Sequence, residues 1–344
     1  MGKGKSGKMK VLVTGATGFL GGAVIRKLKE AGHFVIAAAR SNPSEELKRT
    51  ADSILRGDLS DISYTDECVE GADAVIHTAA KPGVFGDYEE YYESNVVATE
   101  NLLDSCRENG VRCFVYTGTP SSVFDMRNQS GIDETAPYPE NFFSPYPKTK
   151  AIAERKVLEA SDGDNLRTVS LRPHLIWGPG DRHLFPRLVD RVKKGTMVFV
   201  NGGKNMIDAT YVDNAADAHV LAAEKLFSDD WERISGKAYF ITNGEPKSLK
   251  EILDSMTDAA GLPRIKRNIP GFIAYAAGIV MEFLHKAVGS SNEPLLTRFV
   301  VKEFMMDHWF DMSAAQRDLG YKPAVSFEEG IKRLGKWASE NGMV

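Results

Sequence analysis

Short apolar runs and amphipathic stretches alternate through the first half of this chain. Val11-Leu12-Val13, Phe34 to Ala39, Ile54 to Arg56, Ala74 to His77, Cys113 to Tyr116 and Thr168 to Leu171 are continuous apolar or small-residue segments, the pattern of strands buried on both faces. Helical spacing appears between them, as in Leu20, Val24, Ile25 and Leu28. This alternation predicts an α/β architecture, a doubly wound parallel sheet with helices on both faces and ligands beyond the carboxyl ends of its strands. After Gly178 the pattern loosens into a Pro/Gly-punctuated segment, a helix from about Leu184 and a short strand near Val198. It then returns to the sheet domain over Tyr211 to Leu226 and Ala238 to Ile241. The division expected is a flexible tail over 1–9, a dinucleotide-binding domain over 10–178 and 207–242, and a smaller substrate-binding lobe over 179–206 and 243–344.

Two runs carry chemistry. Thr14-Gly15-Ala16-Thr17-Gly18-Phe19-Leu20-Gly21 follows the first strand and opens the first helix. Glycines there let the backbone turn tightly and approach a pyrophosphate, which is met by free amides and the positive end of the helix. The second run is Tyr146-Pro147-Lys148-Thr149-Lys150. Four residues apart on a helix, Tyr146 and Lys150 share a face, and the ammonium is expected to lower the phenol's proton affinity and make it a usable acid and base. Read singly, the first run is a loop and the second a solvated surface pair; together they point to a dinucleotide-dependent reaction.

Composition narrows the classes. The 344 residues are 42% hydrophobic and 26% charged with a net charge of -4, ordinary for a folded domain and unsuited to nucleic acid, which needs clustered positive charge. Lys3, Lys5, Lys8 and Lys10 precede apolar residues as in a signal peptide. Those residues contain the glycine turn, so a cytoplasmic protein is expected. Cys68, Cys106 and Cys113 show no zinc spacing and the seven histidines form no metal motif, so no metal is expected. His77 and His174 are read as packed side chains.

Further segments fall in a recognisable order: Asp58-Leu59, His77-Thr78-Ala79-Ala80, Asn95, Tyr116-Thr117-Gly118-Thr119, Arg172-Pro173 and Tyr211-Val212-Asp213-Asn214. With the glycine turn and Tyr-x-x-x-Lys, they make the chain resemble an extended short-chain dehydrogenase/reductase over nearly its whole length. The resemblance implies a Rossmann fold. It places Thr119 where the family usually has a catalytic serine, with Ser121 and Ser122 as rival hydroxyls, and gives Asn95 a proton-supplying water chain. It also sets Lys150 on the nicotinamide ribose. The cofactor contacts it implies are Gly15, Thr17, Gly18, Phe19, Leu20, Asp58, Leu59, Thr78, Ala79, Ala80 and Pro173, besides Tyr146 and Lys150.

The stretch Leu171-Arg172-Pro173-His174-Leu175-Ile176-Trp177-Gly178-Pro179-Gly180-Asp181 is similar to that of the 3β-hydroxysteroid dehydrogenase-like branch, and within it to bacterial reductases of long-chain olefin biosynthesis. The expected reaction is NADPH-dependent reduction of the ketone of a 2-alkyl-3-oxoalkanoic acid. Alternatives are a 3β-hydroxysteroid or sterol-4-carboxylate 3-dehydrogenase, a nucleotide-sugar epimerase and a non-catalytic cofactor sensor. At the end of the second strand, Ala39-Arg40-Ser41 offers a cation and a hydroxyl to a 2′-phosphate instead of a carboxylate to a 2′-hydroxyl. NADP(H) is therefore preferred, with NAD(H) the alternative.

One segment, Ile269 to Met281, carries no charge until Glu282 and is too short to span a bilayer. It reads either as a buried helix or subunit interface, or as a greasy lid or tunnel for long alkyl chains that dips into a membrane surface. The partners expected are a long-chain hydrophobic small molecule, a peripheral membrane contact, and either a second copy of the chain or other lipid-pathway enzymes.

Overall fold

Seven of the runs lie side by side: β1 (Lys10–Thr14), β2 (Phe34–Ala39), β3 (Ser53–Arg56), β4 (Ala74–His77), β5 (Cys113–Thr117), β6 (Arg167–Pro173) and β7 (Lys237–Ile241). The computed structural model describes residues 7–288, 294 and 296–343. All seven strands are parallel, in the order β7-β6-β5-β4-β1-β2-β3. The chain winds outward from β1 in one direction to β3 and in the other through β4 to β7, so a crevice opens at the carboxyl ends of β1 and β4. Alternation divides the core. Val11, Val13, Ala74 and Ile76 face the helices Phe19–Glu30 and Val212–Phe227, whereas Leu12, Val75, Phe114 and Tyr116 face the opposite layer with Leu102 and Val157.

A second sheet of four short strands, in the order Lys247–Ser248, Met206–Ile207, His308–Phe310 and Gln129–Ile132, builds the smaller lobe. Two of these segments cross the expected domain borders. Gln129–Ile132 was assigned to the sheet domain, yet it pairs with His308–Phe310, because the chain leaves the main sheet at the 3₁₀ turn Pro120–Val123. Ile207 likewise pairs with His308. The expected tail also ends earlier: Met9 is buried, and its amide donates to His33 Nδ1 at 3.1 Å. Lys3 and Lys5 lie outside the described residues.

The charge-poor segment forms the helix Gly271–Val288, and two of the expectations for it, a buried helix and a tunnel lining, do not hold. It is not buried: Phe272 is 76% and Phe283 71% exposed. Nor does it line the apolar cavity described below. Its small residues Ala274 and Gly278 pack inward, which leaves the large ones outside. Among the described residues no helix is long and apolar enough to cross a membrane.

Candidate active site

The glycine turn folds as its spacing requires. Gly15 has φ +65°, and a Cβ there would stand 2.8 Å from the Ala79 nitrogen; a Cβ on Gly21 would run into the Gly15 carbonyl. Gly18 caps the helix Phe19–Glu30 without a side-chain bond, which leaves the first amides directed out of the helix end. A groove of about 290 Å³ starts at Gly15, Thr17 and Gly18 and passes Arg40 and Ser41. It continues to Asp58 and Leu59 after β3 and to Thr78, Ala79 and Ala80 after β4. A tight cradle at a helix N-terminus that opens into this groove fits a dinucleotide. Phe19 lies at the mouth beside Gly180. Leu20 packs into the core and Pro173 is buried at the end of β6; neither side chain lines the groove.

At the end of β2 in this groove, the Arg40 guanidinium stands free of burial, 77% exposed and 3.7 Å from Asp58. The Ser60 amide and hydroxyl hold the Asp58 carboxyl below its ordinary range despite partial burial, helped by Arg40. Ser41 Oγ lies 2.9 Å from Thr17 Oγ1, which ties β2 to the glycine turn.

Tyr146 and Lys150 project from the helix Pro145–Glu159, whose first position is a proline suited to a helix start. The neighbour that favours ionisation of the phenol is the side chain of Thr119, the residue that caps the 3₁₀ turn after β5. Burial pushes Tyr146 up to about 12, with the Thr119 side chain opposing. The expected influence of Lys150 on the phenol is missing. Its Nζ donates instead to the Thr117 carbonyl at 2.7 Å and lies 4.1 Å from the centre of the Tyr116 ring. Burial lowers Lys150 to about 7, with Glu154 opposing. Asn95, in a π-helical turn, is fully employed as a brace: Oδ1 accepts from the Lys81 amide at 2.7 Å and Nδ2 donates to Thr149 Oγ1 at 3.0 Å. Of the rival hydroxyls, Ser122 donates to the Thr119 carbonyl and Ser121 to Glu303, so Thr119 is the one that acts on Tyr146. His77 is bonded to Thr14 and Thr99, and His174 packs on His308 and Phe310. No group of His, Cys, Asp and Glu that could hold a metal occurs among the described residues.

Three features escaped the sequence reading. Glu154 continues the four-residue series Tyr146, Lys150, Glu154, a signal that was available. It is wholly buried and accepts from Arg172, Ser170 and Tyr138. Glu303, pushed up to about 7 by burial, accepts from Ser121 at 3.1 Å and acts electrostatically on Tyr146. Beside it opens a mainly apolar cavity of about 490 Å³, walled by Leu175, Leu184, Leu188, Ile252 and Phe304, with Arg187 and Arg191 among the lining residues. Both depend on segments far apart in sequence, which no local pattern joins.

The model of the 3-beta hydroxysteroid dehydrogenase/isomerase family matches residues 12–270. The chain belongs to that family. This member is an NAD(P)-dependent oxidoreductase acting on CH–OH and C=O groups. It is 45% identical over 329 residues to a 2-alkyl-3-oxoalkanoate reductase of Stenotrophomonas maltophilia, covering 95% of this chain and 98% of the relative. A protein of the same name from Shewanella oneidensis is 41% identical, with 94% and 84% covered. Among solved structures, MoeE5 in complex with UDP-glucuronic acid and NAD superposes with a TM-score of 0.74 at 26% identity, over 96% of this chain and 99% of that one.

Proposed function

We propose that this enzyme uses NADPH to reduce the ketone of a 2-alkyl-3-oxoalkanoic acid to the 2-alkyl-3-hydroxy acid. The observation that carries this reading is the cavity beside Glu303: apolar walls suit alkyl chains, and the arginines among them suit a carboxylate. The names of the two bacterial relatives point to the same substrate class. When bound, the reduced nicotinamide supplies the hydride that reaches the ketone carbon. The chain's residues handle the oxygen. Thr119 donates a hydrogen bond that polarises the carbonyl, and Tyr146, protonated at neutral pH, delivers its proton as negative charge builds on that oxygen. A forming alkoxide is more basic than a phenolate, so the transfer runs downhill.

Lys150 would leave the Thr117 carbonyl to hold the nicotinamide ribose, and Asn95 keeps the loop after β4 against the helix that carries both groups. Arg40 and Ser41, with no acidic residue at the end of β2, support NADPH as the preferred reductant. The test is NADPH consumption across a chain-length series of 2-alkyl-3-oxoalkanoic acids, with NADH and a sterol-4-carboxylic acid with NAD(P)⁺ as comparisons. Turnover of the sterol acid alone would overturn the assignment.

A further inference from the structure

We infer that the outer face of the Gly271–Val288 helix is a docking surface for an anionic lipid bilayer. The helix is built inside out: Ala274 and Gly278 pack inward while Phe272, Ile273, Ile279, Val280, Phe283 and Leu284 are each between 46% and 76% exposed. At about 100° per residue these positions share one arc of roughly 140°. No polar side chain among the described residues interrupts it, since Glu282 turns to Arg298, its carboxylate accepting from the Arg298 amide at 2.6 Å and Nε at 2.8 Å. A surface helix ordinarily presents its polar face to water. This one presents a contiguous apolar patch, a mark of an interaction site.

The composition of that patch selects the occupant. If each of the six side chains exposes on the order of 100 Å², the strip offers about 600 Å², less than the roughly 800 Å² per partner of a stable protein interface. It also lacks the donors and acceptors that such an interface carries at about one hydrogen bond per 100–200 Å². A bilayer demands neither. The helix is too short and insufficiently apolar to cross, so it lies in the plane of the interface. Charge complements this placement at the entry to the helix, where Lys266 and Arg267 are exposed and Arg267 donates to the Gly195 carbonyl at 3.2 Å; of the lysines beside Gly195, Lys194 is paired with Asp190 and Lys193 donates to the Met343 carbonyl, so Lys266 and Arg267 carry the charge. The inner side of the helix rests on Arg298–Glu303, where Ala274 meets Val301, and the same short helix contributes Val300 and Glu303 to the apolar cavity. The docking face is thus one helix removed from the cavity, a short path for a molecule that leaves a membrane.

This inference stands apart from the substrate assignment, and its test uses binding. The full chain is floated with vesicles of phosphatidylcholine alone and of equal parts phosphatidylcholine and phosphatidylglycerol. The expected result is flotation with the mixed vesicles, weakened roughly tenfold or more by Phe272→Ser with Phe283→Ser, since each phenylalanine contributes about that much on transfer from water. Lys266→Glu with Arg267→Glu removes the preference for the anionic vesicles, and it remains informative if the serine variant does not fold. NADPH binding and the melting temperature report folding in both. Absence of flotation with either vesicle overturns the proposal, as does a dimeric mass in solution that the two serines convert to a monomer, which would make the face a contact between copies.

Discussion

Replacing Glu154 with Gln tests the ion pair on which the catalytic helix rests. Glu154 is 0% and Arg172 3% exposed, with Arg172 Nη2 donating to Oε2 at 2.8 Å and Nε to Oε1 at 3.0 Å. Ser170 donates to the same carboxylate at 2.6 Å and Tyr138 at 2.9 Å. Glutamine keeps the volume but removes the charge, which leaves a guanidinium in the interior without its counter-ion. Breaking a buried pair from one side typically costs about 3–5 kcal/mol, against a total stability of roughly 5–15 kcal/mol for a folded domain. Lys150 loses its neighbouring anion as well. Since Glu154 is the group that opposes the burial-driven fall of Lys150, the lysine drops further below about 7 and is neutral over a wider range.

The assay is urea unfolding of the wild type, Glu154→Gln, Arg172→Met and the double variant at one pH. The double should lose less than the sum of the singles, because the second change removes the stranded charge. A single-variant loss below about 1 kcal/mol, or additivity within about 0.5 kcal/mol, would refute the reasoning.

Tyr146→Phe should reduce turnover by about 10²-fold to 10⁴-fold while NADPH still binds, checked by steady-state rates alongside a cofactor titration; near-wild-type turnover would remove the phenol from the mechanism. Arg40→Asp should move the ratio of kcat/KM values from NADPH toward NADH, since a carboxylate repels a 2′-phosphate and accepts from a 2′-hydroxyl. An unchanged ratio would mean that the phosphate is read elsewhere. Glu303 titrates at about 7, so it is neutral below that pH and anionic above it, and KM for a carboxylate substrate should rise as pH increases through 7. Glu303→Gln should abolish that rise and leave the acid side unchanged; a persistent inflection would assign it to another group.

The sheet was legible because it is written locally. Val11-Leu12-Val13 and Ala74 to His77 are apolar on both faces, and strands buried on both sides leave such runs in any order of assembly. The glycine turn was legible for the same reason, since φ +65° at Gly15 and the close approach of Ala79 exclude a side chain. The sheet of the smaller lobe was not, although the lobe itself was expected, because Gln129–Ile132 and His308–Phe310 are short polar-and-aromatic segments whose pairing across about half the chain has no local cause. The orientation of the 271–288 helix escaped for a related reason. Its pattern separates small residues from large ones instead of polar from apolar, and a reader expecting water outside assigns the large ones inward. Lys150 shows the remaining limit: four-residue spacing gives a shared helix face, whereas burial and the Thr117 carbonyl decide where the ammonium points.

The catalytic helix joins two environments that its four-residue step keeps apart. Tyr146 sits in its first turn, under the influence of the Thr119 side chain and, electrostatically, of Glu303. Lys150, one turn on, is already under β5, and Glu154, another turn on, is locked to β6 through Ser170 and Arg172. The lock fixes the helix, so the phenol is aimed by a contact two turns away from the reacting oxygen. The same burial that secures Glu154 and depresses Lys150 also raises Tyr146 to about 12, which stores a proton on the phenol at neutral pH. Oxidation would begin by removing that proton into a site that disfavours phenolate. A charged Lys150 turned toward the phenol would ease release of that proton.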